Sequence, residues 1–178
     1  MYSTDGGKIL GKNTVQYAFE KSSNVISKLI YDNYKDNPQQ FVDGLKKIGI
    51  QNKLGLKING EGSPLIRDAN DPLFSGVSLS WMSIGYEVEI TPLQTLAFYN
   101  AVANDGVLVR PQFVKSIKRG DKILKVFDSY VLNPSICSKE TLDDLTIMLK
   151  GVVHRGTARN IRARGFEIAG KTGTSKIA

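Results

Sequence analysis

The sequence has a single cysteine, Cys137, and a single histidine, His154. These counts exclude an internal disulfide, a Cys/His zinc cluster and any site that needs two imidazoles. A Ser-His-Asp triad would depend on His154 alone, and a histidine before Arg155-Gly156 is more typical of a turn or a helix end. We therefore expect no metal or other cofactor, and we predict that Cys137 acts as a small apolar residue.

Long apolar runs are also absent. None of the 178 residues belongs to an uninterrupted apolar stretch of roughly 18 residues. Residues 1–30 show no basic start followed by an apolar segment, so the chain contains no recognisable signal peptide. We therefore expect any membrane anchor or export signal to lie in sequence outside this chain. With 41% hydrophobic and 23% charged residues, the composition is that of one globular domain, 1–178, with its own core.

The net charge of +7 includes a cluster of four arginines, Arg155, Arg159, Arg162 and Arg164. A basic patch can bind nucleic acid, anionic lipid or an acidic ligand, but a solvated surface is the commoner explanation. We predict that these arginines lie on a solvated loop and that the protein binds no nucleic acid.

Two predicted helices near the start of the chain are separated by a polar tripeptide. Thr14 is a plausible N-cap for the first helix, and the apolar spacing that resumes at Val25 predicts the second. Ser22-Ser23-Asn24 lies between them, at a place where side chains can point into a cleft. A third helix is predicted from Pro38 to a C-cap at Gly49.

The middle of the chain alternates loop, helix and strand. Residues 50–85 are rich in turn formers and are predicted as loop. Thr91-Pro92 predicts an N-cap and first turn for the clearest helix, which runs to Gly106. Strands are predicted at 107–109, 113–117 and 123–127, the last two joined by a hairpin turn at 119–122. Ser138 is predicted to cap a final helix.

The sequence ends on FEIAGKTGTSKIA. Residues 166–169 predict a short strand, and Lys171, Thr172, Gly173 and Thr174 follow it as a row of hydrogen-bond donors. An ammonium, two hydroxyls and backbone N–H groups left accessible by a glycine can bind a carboxylate or stabilise an oxyanion. A Lys-Thr-Gly tripeptide alone also suits an ordinary strand end.

Ser22-Ser23-Asn24 and Lys171-Thr172-Gly173 together match S-x-N and K-T-G, two of the three elements of the set S-x-x-K, S-x-N, K-T-G. The segments SSNVISKLI, SIGYEVEITPLQTLAFYNAVANDGVLVRP, VVHRGTARN and IAGKTGTS stand between and around them. In that order they resemble a monofunctional, class B penicillin-binding transpeptidase, especially the division-associated kind. The resemblance implies an α/β (α+β, mixed) fold, with a helical subdomain and an antiparallel sheet that is incomplete in this chain.

The resemblance also implies roles for the S-x-N element. Ser22 would relay a proton to or from the leaving or attacking nitrogen, and Asn24 would bind the substrate amide. Ser23 is the poorer candidate, because its side chain is expected to point elsewhere.

For the K-T-G element, the resemblance implies recognition of a C-terminal carboxylate. Lys171 would supply positive potential, and the hydroxyls of Thr172 and Thr174 would bind the carboxylate. The Thr174 backbone N–H would form half of an oxyanion hole, and Gly173 would leave room for substrate. The Gly156-Thr157-Ala158 tripeptide also recurs in the family, and we assign it a structural role at the end of a helix.

The chain departs from the family pattern at two points. It contains no S-x-x-K, so the nucleophilic serine and its lysine are absent from these residues. We therefore expect an internal piece of a longer enzyme that is inactive by itself. Glu87 stands where the family often has a second glycine after the one matching Gly85, which bears on the shape of a loop.

The expected partners are a peptidoglycan stem peptide, β-lactam antibiotics and, through the longer protein, division or elongation proteins at the outer face of the cytoplasmic membrane. Two other functions stay open: a β-lactamase or D,D-carboxypeptidase, and a non-enzymatic β-lactam sensor or wall-peptide scaffold. The segment TPLQTLAFYNAVANDG argues against the first of these. We also expect exposed apolar surface around Phe166 and Ile168 that favours dimerisation.

Overall fold

The structure is a computed structural model that describes residues 13–173. These residues form two compact units: a first unit of residues 13–38, 72–86 and 140–173, and a second unit of residues 39–71 and 87–139. Within the described ranges, no helix combines the length and the apolar character needed to cross a bilayer. Thr174, one of the predicted site residues, lies outside the described residues.

Six helices are present in residues 13–173. In chain order they are α1 Val15–Glu20, α2 Val25–Tyr34, α3 Pro38–Ile48, α4 Ser78–Met82, α5 Pro92–Ala103 and α6 Lys139–His154, and a 3₁₀ turn follows at Arg159–Ile161. The predicted boundaries at Thr14, Pro38 and Pro92 are confirmed. The Thr14 side chain accepts a hydrogen bond from the Tyr17 N–H, which is the predicted N-cap. Helix α6 ends at His154, which agrees with the prediction that this histidine lies at a turn or a helix end.

The regular secondary structure of the first unit is helical throughout its described residues, and turns and extended segments connect the helices. Its core is formed by Val152, Val153 and Ala158, which are almost completely buried, with Phe19 and Ile168 packed against them. This core joins α1, the end of α6 and the segment that leads to the K-T-G element. Ile168 therefore contributes to the core, and the prediction that it is exposed was wrong. Phe166, by contrast, is 67% exposed.

The second unit combines α5 with short antiparallel ribbons. Its core contains Leu54, Ala97, Ala101, Leu108 and Ile136, with Cys137 packed against it as predicted. Helix α5 begins with a capping box, in which the Thr91 hydroxyl accepts from the Gln94 N–H and the Gln94 side chain accepts from the Thr91 N–H. It ends at Ala103 and not at Gly106, because Asp105 and Gly106 adopt left-handed φ values of 50° and 83°.

Six strands pair as three antiparallel ribbons in the described part of the chain. They are β1 Leu65–Ile66 with β2 Val88–Glu89, β3 Leu108–Val109 with β6 Val131–Asn133, and β4 Ser116–Arg119 with β5 Lys122–Val126. The predicted hairpin is confirmed, but its first strand is Ser116–Arg119 and not 113–117, and its turn is the shorter Gly120-Asp121. Mixed helix and antiparallel strand is the predicted fold class.

Several secondary-structure elements differ from the prediction. Helix α4 and strand β1 lie inside the stretch predicted as loop, and strands β2 and β6 were not predicted. The strand expected at 166–169 is not formed in the described structure. Gly165 turns the chain at φ 91°, and the following residues find no strand partner among residues 13–173; Ile168 packs on the helical core instead.

Glu87 adopts a left-handed φ of 56°, and its Oε2 is buried without a hydrogen-bond partner among the described residues. A left-handed conformation costs a residue with a Cβ about 1–2 kcal/mol, and an unsatisfied buried oxygen adds to that cost. We expect Glu87→Gly to stabilise the protein by about 1 kcal/mol after the larger backbone entropy of glycine is subtracted, measured by urea unfolding.

Glu89→Gly is the matched control for that substitution. Glu89 lies in β2 and is exposed, so glycine there should destabilise the protein by about 0.5–1 kcal/mol. Equal effects of the two substitutions would contradict the assignment of strain to Glu87.

Candidate active site

Ser22 lies in the turn between α1 and α2 with a left-handed φ of 51°. Its N–H donates to the Phe19 carbonyl at 3.1 Å, and the Ser23 N–H donates to the Ala18 carbonyl at 2.8 Å. These bonds hold a conformation that costs a serine about 1–2 kcal/mol. Strain of this kind persists only where the surroundings impose it, and it is often found at functional sites. Here it places the Ser22 hydroxyl next to Lys171.

Lys171 donates from Nζ to Ser22 Oγ at 2.5 Å and to its neighbour's carbonyl, Thr172 O, at 3.0 Å. The ammonium also lies 5.7 Å from the centroid of the Phe19 ring. Burial lowers the pKa of Lys171. Because an ammonium has donors and no acceptor, Ser22 Oγ accepts in this bond and its own proton stays free for another partner.

Two threonines extend this contact into a row of hydroxyls. Ser22 Oγ lies 3.2 Å from Thr172 Oγ1, and Thr172 Oγ1 lies 2.6 Å from Thr157 Oγ1. An ammonium and three hydroxyls from separate segments thus meet in the first unit. Such a cluster can bind a carboxylate through charge-assisted hydrogen bonds and can move a proton through Ser22. The structure brings together Ser22, Lys171 and Thr172 as predicted, and it adds Thr157, which was assigned a structural role.

The other predicted site residues differ in exposure: Asn24 and Gly173 border open space, and Ser23 is buried. Asn24 is exposed at the start of α2 and makes no capping hydrogen bond there with its side chain. A Cβ added to Gly173 would meet no atom within 4 Å in the described structure, so the space beside it is open. Ser23 is buried, and its hydroxyl accepts from the Val25 N–H at 3.4 Å. This burial agrees with the prediction that Ser23 points away from the cleft.

An ion pair between the buried Glu20 and the exposed Arg155 holds the Ser22 turn against α6. Glu20 is 3% exposed, and Arg155 donates to its two oxygens from Nη2 at 2.5 Å and from Nε at 3.2 Å. The Thr157 N–H donates to the Glu20 carbonyl at 3.2 Å, and Lys21 Nζ donates to the Arg155 carbonyl at 2.5 Å. Arg155, Arg159, Arg162 and Arg164 are all exposed, as predicted. The ion pair of Arg155 with Glu20 was not predicted.

Two glycines make this close approach possible. A Cβ on Gly151 would lie 2.0 Å from Glu20 Oε1, and one on Gly156 would lie 2.2 Å from the Glu20 carbonyl oxygen. Gly151 is a sequence signal that could have predicted this contact. A glycine inside a helical pattern, such as Gly151, costs about 1 kcal/mol relative to alanine and often marks a close approach.

The Glu20 carboxylate should make the protein sensitive to acid. Burial alone would raise the pKa of Glu20, but the hydrogen bonds from Arg155 and Gln16 and the charges of Arg155 and Lys21 outweigh it and lower the pKa below its ordinary value of 4.5. A lowered native pKa contributes stability above the unfolded value, and that stability is lost as the pH falls through the native value. We expect urea stability to decline below about pH 4.5.

Other carboxylates also titrate in this range, so the Glu20→Gln variant isolates the contribution of Glu20. The variant should be less stable than the wild type at pH 7 and should lose less stability on acidification. Parallel stability curves for the two proteins between pH 7 and pH 3 would show that the Glu20 pKa is not lowered.

The whole chain, residues 1–178, matches the family described as the penicillin binding protein transpeptidase domain. The chain belongs to this family. The penicillin-binding protein PbpB of Mycolicibacterium smegmatis is 33% identical over 170 residues, which are 92% of this chain and 26% of that protein. The chain therefore spans about a quarter of the length of this relative.

Solved structures of the family agree with the fold. The D,D-transpeptidase domain of a peptidoglycan glycosyltransferase from Eggerthella lenta superposes with a TM-score of 0.82 at 26% identity, over 99% of this chain and 45% of that one. Penicillin-binding protein 3 from Mycobacterium tuberculosis, in complex with aztreonam, superposes with a TM-score of 0.74 at 29% identity, over 92% of this chain and 37% of that one. The family resemblance found in the sequence is confirmed.

The described residues contain no group of three or more His, Cys, Asp or Glu side chains that could hold a metal ion. The cluster around Ser22 is built from an ammonium, hydroxyls and an adjacent amide residue. Its chemistry is therefore hydrogen bonding, electrostatic stabilisation and proton transfer.

Proposed function

We propose that this chain supplies the carboxylate-binding and proton-relay side of the active site of a serine D,D-transpeptidase that cross-links peptidoglycan stem peptides. The observation that carries the proposal is the contact of the S-x-N serine with the K-T-G element: Lys171 Nζ to Ser22 Oγ at 2.5 Å and Ser22 Oγ to Thr172 Oγ1 at 3.2 Å. The family match and the D,D-transpeptidase domain among the similar structures support it.

In the proposed reaction, a serine outside these residues attacks the carbonyl carbon of the bond between the last two D-alanines of a stem peptide. A carbon–oxygen bond forms, the carbon–nitrogen bond breaks, and the terminal D-alanine leaves with a proton on its nitrogen. An amine of a neighbouring stem peptide then attacks the acyl-enzyme and regenerates the serine.

Ser22 is suited to the proton transfer because Lys171 occupies only an acceptor position on its oxygen. Its hydroxyl hydrogen can point to Thr172 Oγ1, 3.2 Å away, or to the leaving nitrogen. Burial lowers the pKa of Lys171, which eases the sharing of a proton between the two groups. Asn24, exposed beside this turn, is assigned to the substrate amide.

Lys171 and Thr172, with Thr174, are assigned to the terminal carboxylate. A substrate strand can pass beside Gly173, since that space is open in the described structure. The same groups would bind the acidic group of a β-lactam, and the relative from Mycobacterium tuberculosis has been solved in complex with one β-lactam, aztreonam. We place the whole protein at the outer face of the cytoplasmic membrane, with division or elongation proteins as partners.

A fluorescent penicillin tests this function. The chain is incubated with the reagent, beside a longer form of the protein that carries an S-x-x-K, and both are examined on a denaturing gel. We expect stable labelling of the longer form and none of the 178-residue chain, which holds no S-x-x-K. Stable labelling of the short chain would contradict the proposal that the nucleophilic serine lies outside these residues.

Product analysis of the longer form separates this function from its two alternatives. Cross-linked dimers from stem pentapeptides support a transpeptidase, whereas hydrolysed pentapeptide or hydrolysed penicillin would show a carboxypeptidase or a β-lactamase. A stable acyl-protein without any peptide product would show a sensor.

A further inference from the structure

The β4–β5 ribbon of the second unit is exposed along most of its length. All five residues of β5 and three of the four residues of β4 are exposed. Ile117, Ile123, Leu124 and Val126 are each about half exposed, at 46%, 54%, 50% and 55%. An isolated two-stranded ribbon is marginally stable in water, and one with this much exposed aliphatic surface is a candidate interaction surface.

The pairing register sorts the charges onto one face. Ile117 faces Lys125 and Arg119 faces Lys122, whereas Ser116 faces Val126 and Lys118 faces Ile123. Directly opposed residues share a face of a ribbon. One face therefore carries three cations and one isoleucine. The other carries Ile123 and Val126 with one lysine and one serine, and Leu124 occupies the irregularity in the register.

The ribbon and its flanking residues, 115–128, carry the whole positive net charge of the second unit. Residues 115–128 contain five basic and two acidic residues, and the rest of the second unit contains seven of each. None of the five basic residues forms an ion pair with another described residue. Arg119 and Lys122 are like charges in directly opposed positions, which is an unfavourable arrangement without an anionic neighbour.

Both edges of the ribbon are open in the described structure, because β4 pairs only with β5. An open edge presents unpaired N–H and C=O groups to a further strand. A third strand would place alternate side chains on the two faces. A strand that matched this ribbon would carry acidic residues on the cationic face and apolar residues beside Ile123 and Val126.

We propose that the β4–β5 ribbon is a docking site for an extended segment of a partner protein in which acidic and apolar residues alternate, added as a third strand. A planar anionic membrane is a poorer match for two reasons. It contacts one face at a time, whereas most of the cations lie on one face and Ile123 and Val126 lie on the other, and the Arg119–Lys122 tip has no apolar side chain to insert.

The test uses the whole chain and a fluorescein-labelled peptide of alternating glutamate and valine. We expect binding by fluorescence anisotropy, with a Kd of about 1 mM or lower. Backbone amide shifts should be confined to residues 115–128. A double charge reversal, Lys122→Glu with Lys125→Glu, should weaken binding about tenfold or more. Lys122 and Lys125 lie in β5, whose residues are all exposed, so this variant should keep the wild-type amide spectrum elsewhere.

A peptide of the same composition, with its glutamates and valines in separate blocks, is the matched control. Equal binding of the two peptides would overturn the proposal, since charge alone would then explain the interaction. No binding of the alternating peptide, or binding of phosphatidylglycerol vesicles in its place, would also overturn it. None of these three results bears on the site at Ser22 and Lys171, which lies in the first unit.

Discussion

Replacing Gly156 with alanine is expected to destabilise the protein by about 3 kcal/mol or more. A Cβ at this position would lie 2.2 Å from the Glu20 carbonyl oxygen and 2.7 Å from both the Cα and the carbonyl oxygen of Val152. All three are backbone atoms, so no side-chain rotation can relieve the overlap. The end of α1 would have to move away from α6, and the Ser22 turn would move with it. Thermal or urea unfolding measures the loss.

Gly173→Ala is the matched control for this substitution. It adds the same methyl group at a position where a Cβ meets nothing within 4 Å in the described structure. We expect its stability to stay within about 0.5 kcal/mol of wild type. If Gly156→Ala were as stable as Gly173→Ala, the close packing of α1 on α6 would be wrong.

Replacing Ser22 with alanine is expected to slow acylation by penicillin about a hundredfold to ten-thousandfold in a form of the protein that carries the nucleophile. The substitution removes the hydroxyl that accepts from Lys171 and lies beside Thr172. It keeps a Cβ at the left-handed position, so the backbone strain is unchanged. The second-order rate of labelling by a fluorescent penicillin measures the effect.

Ser23→Ala provides the comparison for Ser22, because the two residues are adjacent and chemically identical. Ser23 is 3% exposed and accepts a long hydrogen bond from the Val25 N–H. Its loss should cost about 1 kcal/mol of stability and leave the acylation rate near that of wild type. Similar rates for the two variants would contradict the assignment of the proton relay to Ser22.

Local signals in the sequence predicted most of the helices. Thr14, Pro38 and the Thr91-Pro92 pair each mark a helix start that the structure confirms, because capping and the fixed φ of proline act within a few residues. The loop prediction for residues 50–85 failed for the opposite reason. Strand β1 exists only through its pairing with β2, more than twenty residues later, and such pairing leaves a weak local pattern.

The candidate site was predictable only in part. The S-x-N and K-T-G motifs gave Ser22, Lys171 and Thr172, which the structure brings together. The ion pair of Glu20 with Arg155, which holds the Ser22 turn, was not predicted. The two residues lie far apart in sequence, and each looks like an ordinary surface residue. Thr157 was missed for a similar reason: its contact with Thr172 depends on how the end of α6 packs and not on its neighbours in sequence.

The most direct measurement is a titration of the chain with D-alanyl-D-alanine, followed by the NMR signals of the Lys171 side chain and the Thr172 and Gly173 amides. We expect these signals to shift with the free dipeptide and to stay unchanged with its C-terminal carboxamide, which lacks the negative charge. Lys171→Met should abolish the shifts, and Lys150→Met, which removes an exposed lysine paired with Glu167, should preserve them. Equal shifts from the dipeptide and its carboxamide, or shifts that survive Lys171→Met, would contradict a carboxylate site at the K-T-G element.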